Sequence, residues 1–504
     1  MNSTLQRTGI ALGLAGFTLL VHLATAGRFD VFRDELYFIV CGRHPAFGYV
    51  DQPPLIPLWA AFSQSFGENL VLLRLPSALA AAATVYVVCA FARLASGGRF
   101  AEFIAGLATA VAPMYLGRGY LLDTTILEAL AWTLTAYLVA RRILMDDRSA
   151  IVWLGVVVGV ALEAKYSIPF YLVALAAGLA ATPQRRILAT REIGVATAIA
   201  ALIAVPSIAW QALHGWPFVE LLRNGADGKN VVVAPLAFEL NQILSLNPWF
   251  APLWIAGIVA PFRMRVLAPL RGLALAFVLV TLVMIALHAK DYYLAAAYGA
   301  MFALGAVALE RLLRNALARA AYVALAVAFS AIVAPIALPV LAPDALLGYL
   351  RALHVTPAAS ETNQIGNPLP QTFADQFGWR ELARTVALAY AKLPPGERER
   401  TAVIARNYGE AAALDVYGRE LGLPPALSGH NTYFLWGTAG YDGASVLRVN
   451  GDAAYWKGIY RDVRIVATFG SPDAMAYERN RPILWCRGPR KPFSAIWSDL
   501  RTYN

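Results

Sequence analysis

A chain of 504 residues that is 59% hydrophobic and only 15% charged is too apolar for a string of soluble domains, and its mean hydropathy of +0.54 marks a polytopic membrane protein. The formal charge of +10 does not signal nucleic acid, because the basic residues are spread over short connections rather than gathered into a patch. Three cysteines, Cys41, Cys89 and Cys486, give neither a metal spacing nor an even disulfide set, so free thiols are expected.

In chain order, Met1 to Leu20 has the look of a signal peptide, and Ala24-Thr25-Ala26 mimics a cleavage site. The many later apolar runs favour an uncleaved first span instead. Runs of membrane-crossing length, roughly 20 residues for a core of about 30 Å, are placed at 8–26, 76–93, 101–116, 124–142, 150–163, 167–182, 193–211, 251–262, 272–288, 292–309 and 320–341. Arginines test that arrangement. With the N-terminus inside, the inner ends carry Arg7; Arg93 and Arg99; Arg141, Arg142 and Arg148; Arg185, Arg186 and Arg191; Arg263, Arg265 and Arg271; and Arg311, Arg314 and Arg319, as the positive-inside rule requires. The expected architecture is therefore a helical membrane domain over 1–341, with a long first outer loop over 27–75. An extracytoplasmic α/β domain is expected over 342–504.

The first outer loop holds the densest chemistry: Arg33-Asp34-Glu35-Leu36-Tyr37-Phe38, then Gly48-Tyr49-Val50-Asp51-Gln52-Pro53-Pro54-Leu55. Adjacent acids beside a membrane are costly and are functional candidates by default, although an ordinary acidic helix start would look the same. Asp34, Tyr37 and Cys41 share one face of a short helix. Leu55, Leu58, Trp59, Phe62 and Phe66 give a second helix an apolar face for the membrane interface. Two helices hinged between Gly48 and Pro54 would hold the carboxylates over the lipid surface. Other outer connections add Arg118 with Asp123, Glu163 with Lys165 and Tyr166, and His288 with Lys290, Asp291, Tyr292 and Tyr293, while the longer loops add Asp30, Glu220, Asp227 and Lys229. Both signs of charge thus recur at the outer ends of separate spans. Interfacial anchoring or snorkelling is the competing explanation, stronger for Glu220 and Lys229 than for Asp123, Lys165 and Lys290.

After Pro343 the composition changes. Strand-like runs (401–405, 463–467, 482–486) alternate with helical ones (378–392, 409–421), separated by turns such as Leu393-Pro394-Pro395-Gly396.

Acids, cations and tyrosines at a membrane surface suit a lipid-phosphate donor and a hydroxyl acceptor, and the absence of a phosphate-cradling glycine loop argues against a nucleotide donor. The ordered set of motifs resembles the GT-C class of integral-membrane glycosyltransferases, nearest the protein O-mannosyltransferase and lipid A aminoarabinose transferase superfamily. It runs from the first loop through Arg118-Gly119-Tyr120-Leu121-Leu122-Asp123, Glu163-Ala164-Lys165-Tyr166 and Lys290-Asp291-Tyr292-Tyr293-Leu294. In the tail it takes in Phe373 to Trp379, Asn407-Tyr408-Gly409-Glu410-Ala411 and Ser428-Gly429-His430-Asn431. The resemblance implies inverting transfer of a sugar from a polyprenyl-phosphate donor to a lipid, glycan or protein acceptor, on the outer face of a bacterial cytoplasmic membrane. It implies Asp34 as the essential first-loop acid with Glu35 its rival, Asp123 as the second-loop acid, and Lys165 and Lys290 as donor-phosphate positions. Arg33, Tyr37, Arg118, Tyr166, His288, Tyr292 and Tyr293 complete the donor set, and Tyr49, Asp51, Gln52, Pro53 and Pro54 the loop motif. Gln52 stands where relatives often have His or Lys. A divalent ion near Asp34 and Asp123 is compatible with the acids, although no ligand spacing demands one.

Two other classes account for part of the pattern. A flippase of lipid-linked sugars would explain a polar cavity but not adjacent acids on one side only, nor the lack of paired broken helices. A receptor anchored by its bundle would not need so many polar span ends.

Overall fold

The structure is a computed structural model describing residues 2–225 and 229–504, with side chains from residue 9 onward. Asp227 and the side chain of Arg7 lie outside the described residues. The chain divides into two compact units. A helical unit comprises residues 1–28, 70–208 and 232–340; a loop–tail unit comprises 29–69, 209–231 and 341–504.

Each expected apolar run of the helical unit holds a helix. Among the described residues, five helices are long and apolar enough to cross a membrane: Leu70–Leu94, Arg191–Leu213, Ala268–Ala286, Asp291–Leu312 and Ala316–Ala337. Helices suit such runs because each closes its own backbone hydrogen bonds, which lipid cannot do. Two further runs are bent pairs, so the expected lack of broken helices does not hold. The run expected over 101–116 is not one straight helix: it stops at Val111 and restarts at Pro113, bent by 58°. Pro113 has no N–H to continue the ladder, so the break falls where the sequence places the ring. Pro235–Ser245 and Pro248–Arg263 meet at 100°, and Asn247 Oδ1 accepts from Trp249 N–H at 3.0 Å to start the second. Gly9–Thr25 and Ile168–Ala180 are shorter apolar helices.

Small residues let the helices approach closely. A Cβ on Gly305 would lie 1.8 Å from the carbonyl oxygen of Leu253, and one on Gly257 would lie 2.1 Å from that of Met301. The helices Ala251–Arg263 and Tyr298–Leu312 therefore pack backbone to backbone. By contrast, Leu202 on Arg191–Leu213 and Leu317 on Ala316–Ala337 are 75% and 76% exposed, apolar faces suited to lipid.

The loop–tail unit is built on a five-stranded sheet. In chain order the strands are β1 (Thr401–Ile404), β2 (Ala426–Leu427), β3 (Ser445–Val449), β4 (Tyr460–Phe469) and β5 (Arg481–Pro489), arranged β2-β1-β3-β5-β4. β1 runs parallel to β2 and β3, whereas β5 runs antiparallel to β3 and β4. Helix Trp379–Ala391 fills the expected helical stretch before β1, and Tyr408–Ala413 opens the one after it.

The first loop is part of this unit, and its helix Arg33–Arg43 is largely buried rather than spread on a surface. Tail residues account for the cover. Phe29 meets Phe373 and Phe377 at ring separations of 5.5 and 5.0 Å, and Arg380 Nε lies 2.8 Å from Asp30 Oδ2. Gly42 has no room for a side chain: a Cβ would sit 2.5 Å from the Pro57 carbonyl oxygen, which seats helix Leu55–Gln64 directly against it. That second helix does leave its apolar face open, with Leu58, Phe62 and Phe66 exposed.

Candidate active site

In the loop–tail unit the helix Arg33–Arg43 places two neighbouring acids in opposite surroundings. Glu35 is fully buried, and its Oε2 accepts from the Phe32 N–H at 2.8 Å, so the side chain satisfies the backbone donor of the residue that opens the helix. Asp34, one residue earlier and about 100° around the helix, keeps a side chain 42% exposed. Its Oδ1 accepts from the Tyr408 hydroxyl at 2.6 Å. Arg33 donates to that same hydroxyl from Nη2 at 2.6 Å and from Nε at 3.2 Å, and from Nη1 to the Tyr477 hydroxyl. The Arg33 backbone N–H is taken by the carbonyl of Asp375 at 2.9 Å.

The rest of the loop motif is held from the tail as well. The Tyr37 hydroxyl lies 2.9 Å from Asp51 Oδ1 and 2.7 Å from Thr432 Oγ1, and accepts from the Thr432 N–H at 3.2 Å. Thr432 Oγ1 in turn accepts from the Val50 N–H at 3.0 Å. Burial pushes the Asp51 carboxyl up to about 6, against the opposing pull of the Tyr37 hydrogen bond. The same cause pushes Asp375 up to about 6, opposed by the Arg33 charge. Tyr49 donates to the Cys41 carbonyl at 2.9 Å, and its own N–H bonds the Gln52 carbonyl at 2.9 Å, making the turn that Pro53 and Pro54 extend into the next helix. Gln52 is turned inward. It is 5% exposed, with Nε2 at 3.8 Å from Cys41 Sγ.

A second cluster forms in the helical unit. Asp123 caps helix Thr124–Met145: Oδ1 accepts from the Thr125 N–H at 2.5 Å, while Oδ2 lies 2.8 Å from Arg118 Nη1. Lys165 Nζ lies 2.7 Å from Oε2 of Glu128, an acid 5% exposed that the Ser167 hydroxyl also contacts. Adjacent tyrosines bridge these pairs, with the Arg118 guanidinium 4.3 Å from the Tyr292 ring centre and the Lys165 ammonium 4.6 Å from that of Tyr293. Lys290 begins the turn Asp291–Ala297 and is part-exposed, and His288 before it is exposed. Tyr166 follows Lys165, and its hydroxyl is buried. Among the described residues no group of three or more His, Cys, Asp or Glu could hold a metal ion.

Residues 51–210 match the model of the dolichyl-phosphate-mannose-protein mannosyltransferase family. A sequence search of curated proteins finds no match. Among solved structures, the chain is similar to ArnT from Cupriavidus metallidurans. With the undecaprenyl-phosphate-bound form it shares a TM-score of 0.60 and 15% identity over 96% of this chain and 100% of that one. With the apo form the TM-score is 0.62 and the identity 16%, over 96% and 99% of the two chains. The fold is that of the GT-C glycosyltransferases.

Within this GT-C fold, two functional candidates escaped the sequence reading. Glu128 sits inside an apolar run, and a lone acid there was the available signal. Tyr408 belongs to a tail motif that carries the resemblance, yet it lies 374 positions from Asp34, and no local pattern couples them. Cys41, Cys89 and Cys486 are free and buried.

Proposed function

We propose that this protein is a membrane glycosyltransferase that moves a sugar, with inversion, from a polyprenyl-phosphate donor to an acceptor hydroxyl or phosphate. The reaction takes place on the outer face of a bacterial cytoplasmic membrane. The N-terminus is cytoplasmic, the eleven apolar runs cross the membrane, and the loop–tail unit lies outside. The acceptor is a lipid A or other envelope glycan, or a protein. Arginines at every inner connection support the orientation.

The observation that carries the catalytic reading is the contrast between Asp34 and Glu35. Glu35 is consumed by the helix cap, whereas Asp34 keeps a half-exposed carboxylate that accepts only one hydrogen bond among the described contacts. Asp34 is the general base. It takes the proton of the acceptor hydroxyl as that oxygen bonds to the anomeric carbon, and the bond from that carbon to the phosphate oxygen breaks with its electron pair. Base catalysis of this kind contributes about 10²–10⁴ in rate. In the helical unit, the Arg118–Tyr292 and Lys165–Tyr293 stacks with Lys290 present cations and hydroxyls of the kind that stabilise a departing phosphate. Asp123 holds Arg118 in place, and Glu128 does the same for Lys165.

The test supplies purified protein, in lipid, with a panel of labelled polyprenyl-phosphate sugars and a bacterial envelope fraction as acceptor. Label should pass to the acceptor with equimolar release of polyprenyl phosphate. Movement of intact donor across the bilayer with no transfer would replace this reading with that of a flippase.

A further inference from the structure

We propose that Tyr408, a tail residue, is the positioning residue for the Asp34 carboxylate, so that the tail completes the base of the first loop. This rests on the reading of Asp34 as general base. The direction of every hydrogen bond at Tyr408 is forced. A guanidinium has only donors and a phenol has a single proton. The Tyr408 oxygen, 2.6 Å from Arg33 Nη2, must therefore accept. Its one proton must go to the acceptor 2.6 Å away, Asp34 Oδ1. A cation on the oxygen polarises the O–H and strengthens its donation to the carboxylate.

The direct Arg33–Asp34 approach is 3.9 Å, too long for a hydrogen bond, so the hydroxyl is the link that fixes the carboxylate. Burial holds the Tyr408 phenol well above its usual range, which keeps it a donor at neutral pH. The ring itself is fixed between Tyr37, 4.7 Å away, and His430, 5.0 Å away, and the Tyr408 backbone N–H donates to His430 Nδ1 at 3.3 Å. Burial pushes His430 down to about 3, so it stays neutral and can accept. Gly409 lets the Arg33 stem lie against the tail backbone: a Cβ there would meet Arg33 Cγ at 2.5 Å. Tyr477 repeats the polarity on the other side, accepting from Arg33 Nη1 and donating to Asp375 Oδ1 at 3.3 Å.

A double-mutant cycle on the full chain tests the link: wild type, Tyr408→Phe, Asp34→Asn and the double variant, assayed for transfer from polyprenyl-phosphate sugar. Tyr408→Phe should lower kcat by about 10- to 100-fold, the scale of a misplaced catalytic group. The donor KM should stay within about twofold and the melting temperature near that of wild type. In the Asp34→Asn background the same change should cost less than about twofold, since groups acting as a unit are not additive. Wild-type kcat in Tyr408→Phe, or an equal fold loss in both backgrounds, would overturn the proposal. If Tyr408→Phe does not fold, 3-fluorotyrosine at position 408 keeps ring and hydroxyl while donating more strongly. A lowered kcat at constant KM is then expected, and an unchanged kcat overturns the link. Full turnover in Asp34→Asn would instead remove the base itself, and a damaged Asp34→Asn beside a normal Tyr408→Phe would remove only the link.

Discussion

Asp34 and Asp123 both stand at helix starts beside an arginine, yet the two units treat them in opposite ways. In the helical unit Asp123 is 11% exposed, and each oxygen is committed, one to the Thr125 N–H and the other directly to Arg118 at 2.8 Å. In the loop–tail unit Asp34 is 42% exposed, and a phenol stands between it and its arginine. A carboxylate that accepts charged and backbone donors on both oxygens is held in its ionised form and is a weak proton acceptor. One that accepts a single phenol hydrogen bond retains lone pairs for an incoming hydroxyl. The lesson is that an acid beside an arginine is not a role; exposure and the partner of each oxygen separate a holder from a base.

The largest effect follows from that contrast. Asp34→Asn should fold, bind donor, and turn over about two orders of magnitude or more slowly, the scale of a lost general base. Asp123→Asn should retain much more activity, because Asn caps a helix about as well as Asp and only the charge facing Arg118 is lost. Steady-state transfer rates for the two variants, with donor affinity measured alongside, decide it. An inactive Asp123→Asn that folds and binds donor, with Asp34→Asn active, would reverse the assignment. Glu35→Ala sharpens the comparison further. It leaves the buried Phe32 N–H without its acceptor and should cost about 1–3 kcal/mol of stability, while leaving kcat within a few fold.

How much of this was legible follows from where the partners lie. Asp34, Tyr37 and Cys41 fall within one short helix, so their shared face was open to a helical-face argument, whereas the run over 101–116 was read straight through Pro113 although that proline carries the break. Tyr408, Thr432 and Tyr477 reach the loop only through tertiary packing, and a sequence pattern carries no register between segments so far apart. The tail shows the same limit. β1, β4 and β5 carry β-branched or aromatic apolar residues and were visible, whereas β2 has two residues and β3 is a five-residue run interrupted by Arg448. Such short strands exist because their neighbours supply the pairing. The burial of the first loop was missed for a related reason: its apolar positions suit a lipid surface and a protein surface equally.

The next effect is on stability rather than rate. Lys165 pairs with Glu128, whose side chain is only 3% exposed. Removing the cation strands a buried carboxylate, which typically costs about 3–5 kcal/mol. Lys165→Ala should therefore melt markedly lower than wild type, and adding Glu128→Gln should recover most of the loss. Lys290→Ala, at a part-exposed position, should weaken donor binding with little change in melting temperature. Thermal unfolding in detergent and donor titration of the three proteins check both halves. If Lys165→Ala is as stable as wild type, the pair contributes little to the fold, and Glu128 does not serve to hold the ammonium in place.

The smallest effect concerns Asp51, and its sign is set by burial. Its carboxyl is pushed up to about 6 in the folded protein, against about 3.9 for an unperturbed aspartate. The folded state therefore prefers the protonated form. That preference stabilises the fold fully below the unfolded value and is lost as pH rises through about 6. Above that, the charged carboxylate burdens the fold by an amount on the order of 1–3 kcal/mol. Asn at this position still accepts from Tyr37 and never ionises. Asp51→Asn should therefore gain in melting temperature over wild type as pH is raised from about 4 to 8, most of the gain coming between about 4 and 6 and levelling off above. His430 works the other way: its depressed value makes the neutral form the folded one, so acidification below about 6.5 costs stability. Both His430 and Asp375 are common to the two proteins and largely cancel in the difference, although Asp34 faces Asp51 and adds a small upward push of its own. Melting curves of the pair across that pH range read the difference directly. A gap that is flat with pH would mean that Asp51 stays charged and well solvated in the fold, and that the loop holding it is more open to water than its packing against Tyr37 and Thr432 implies.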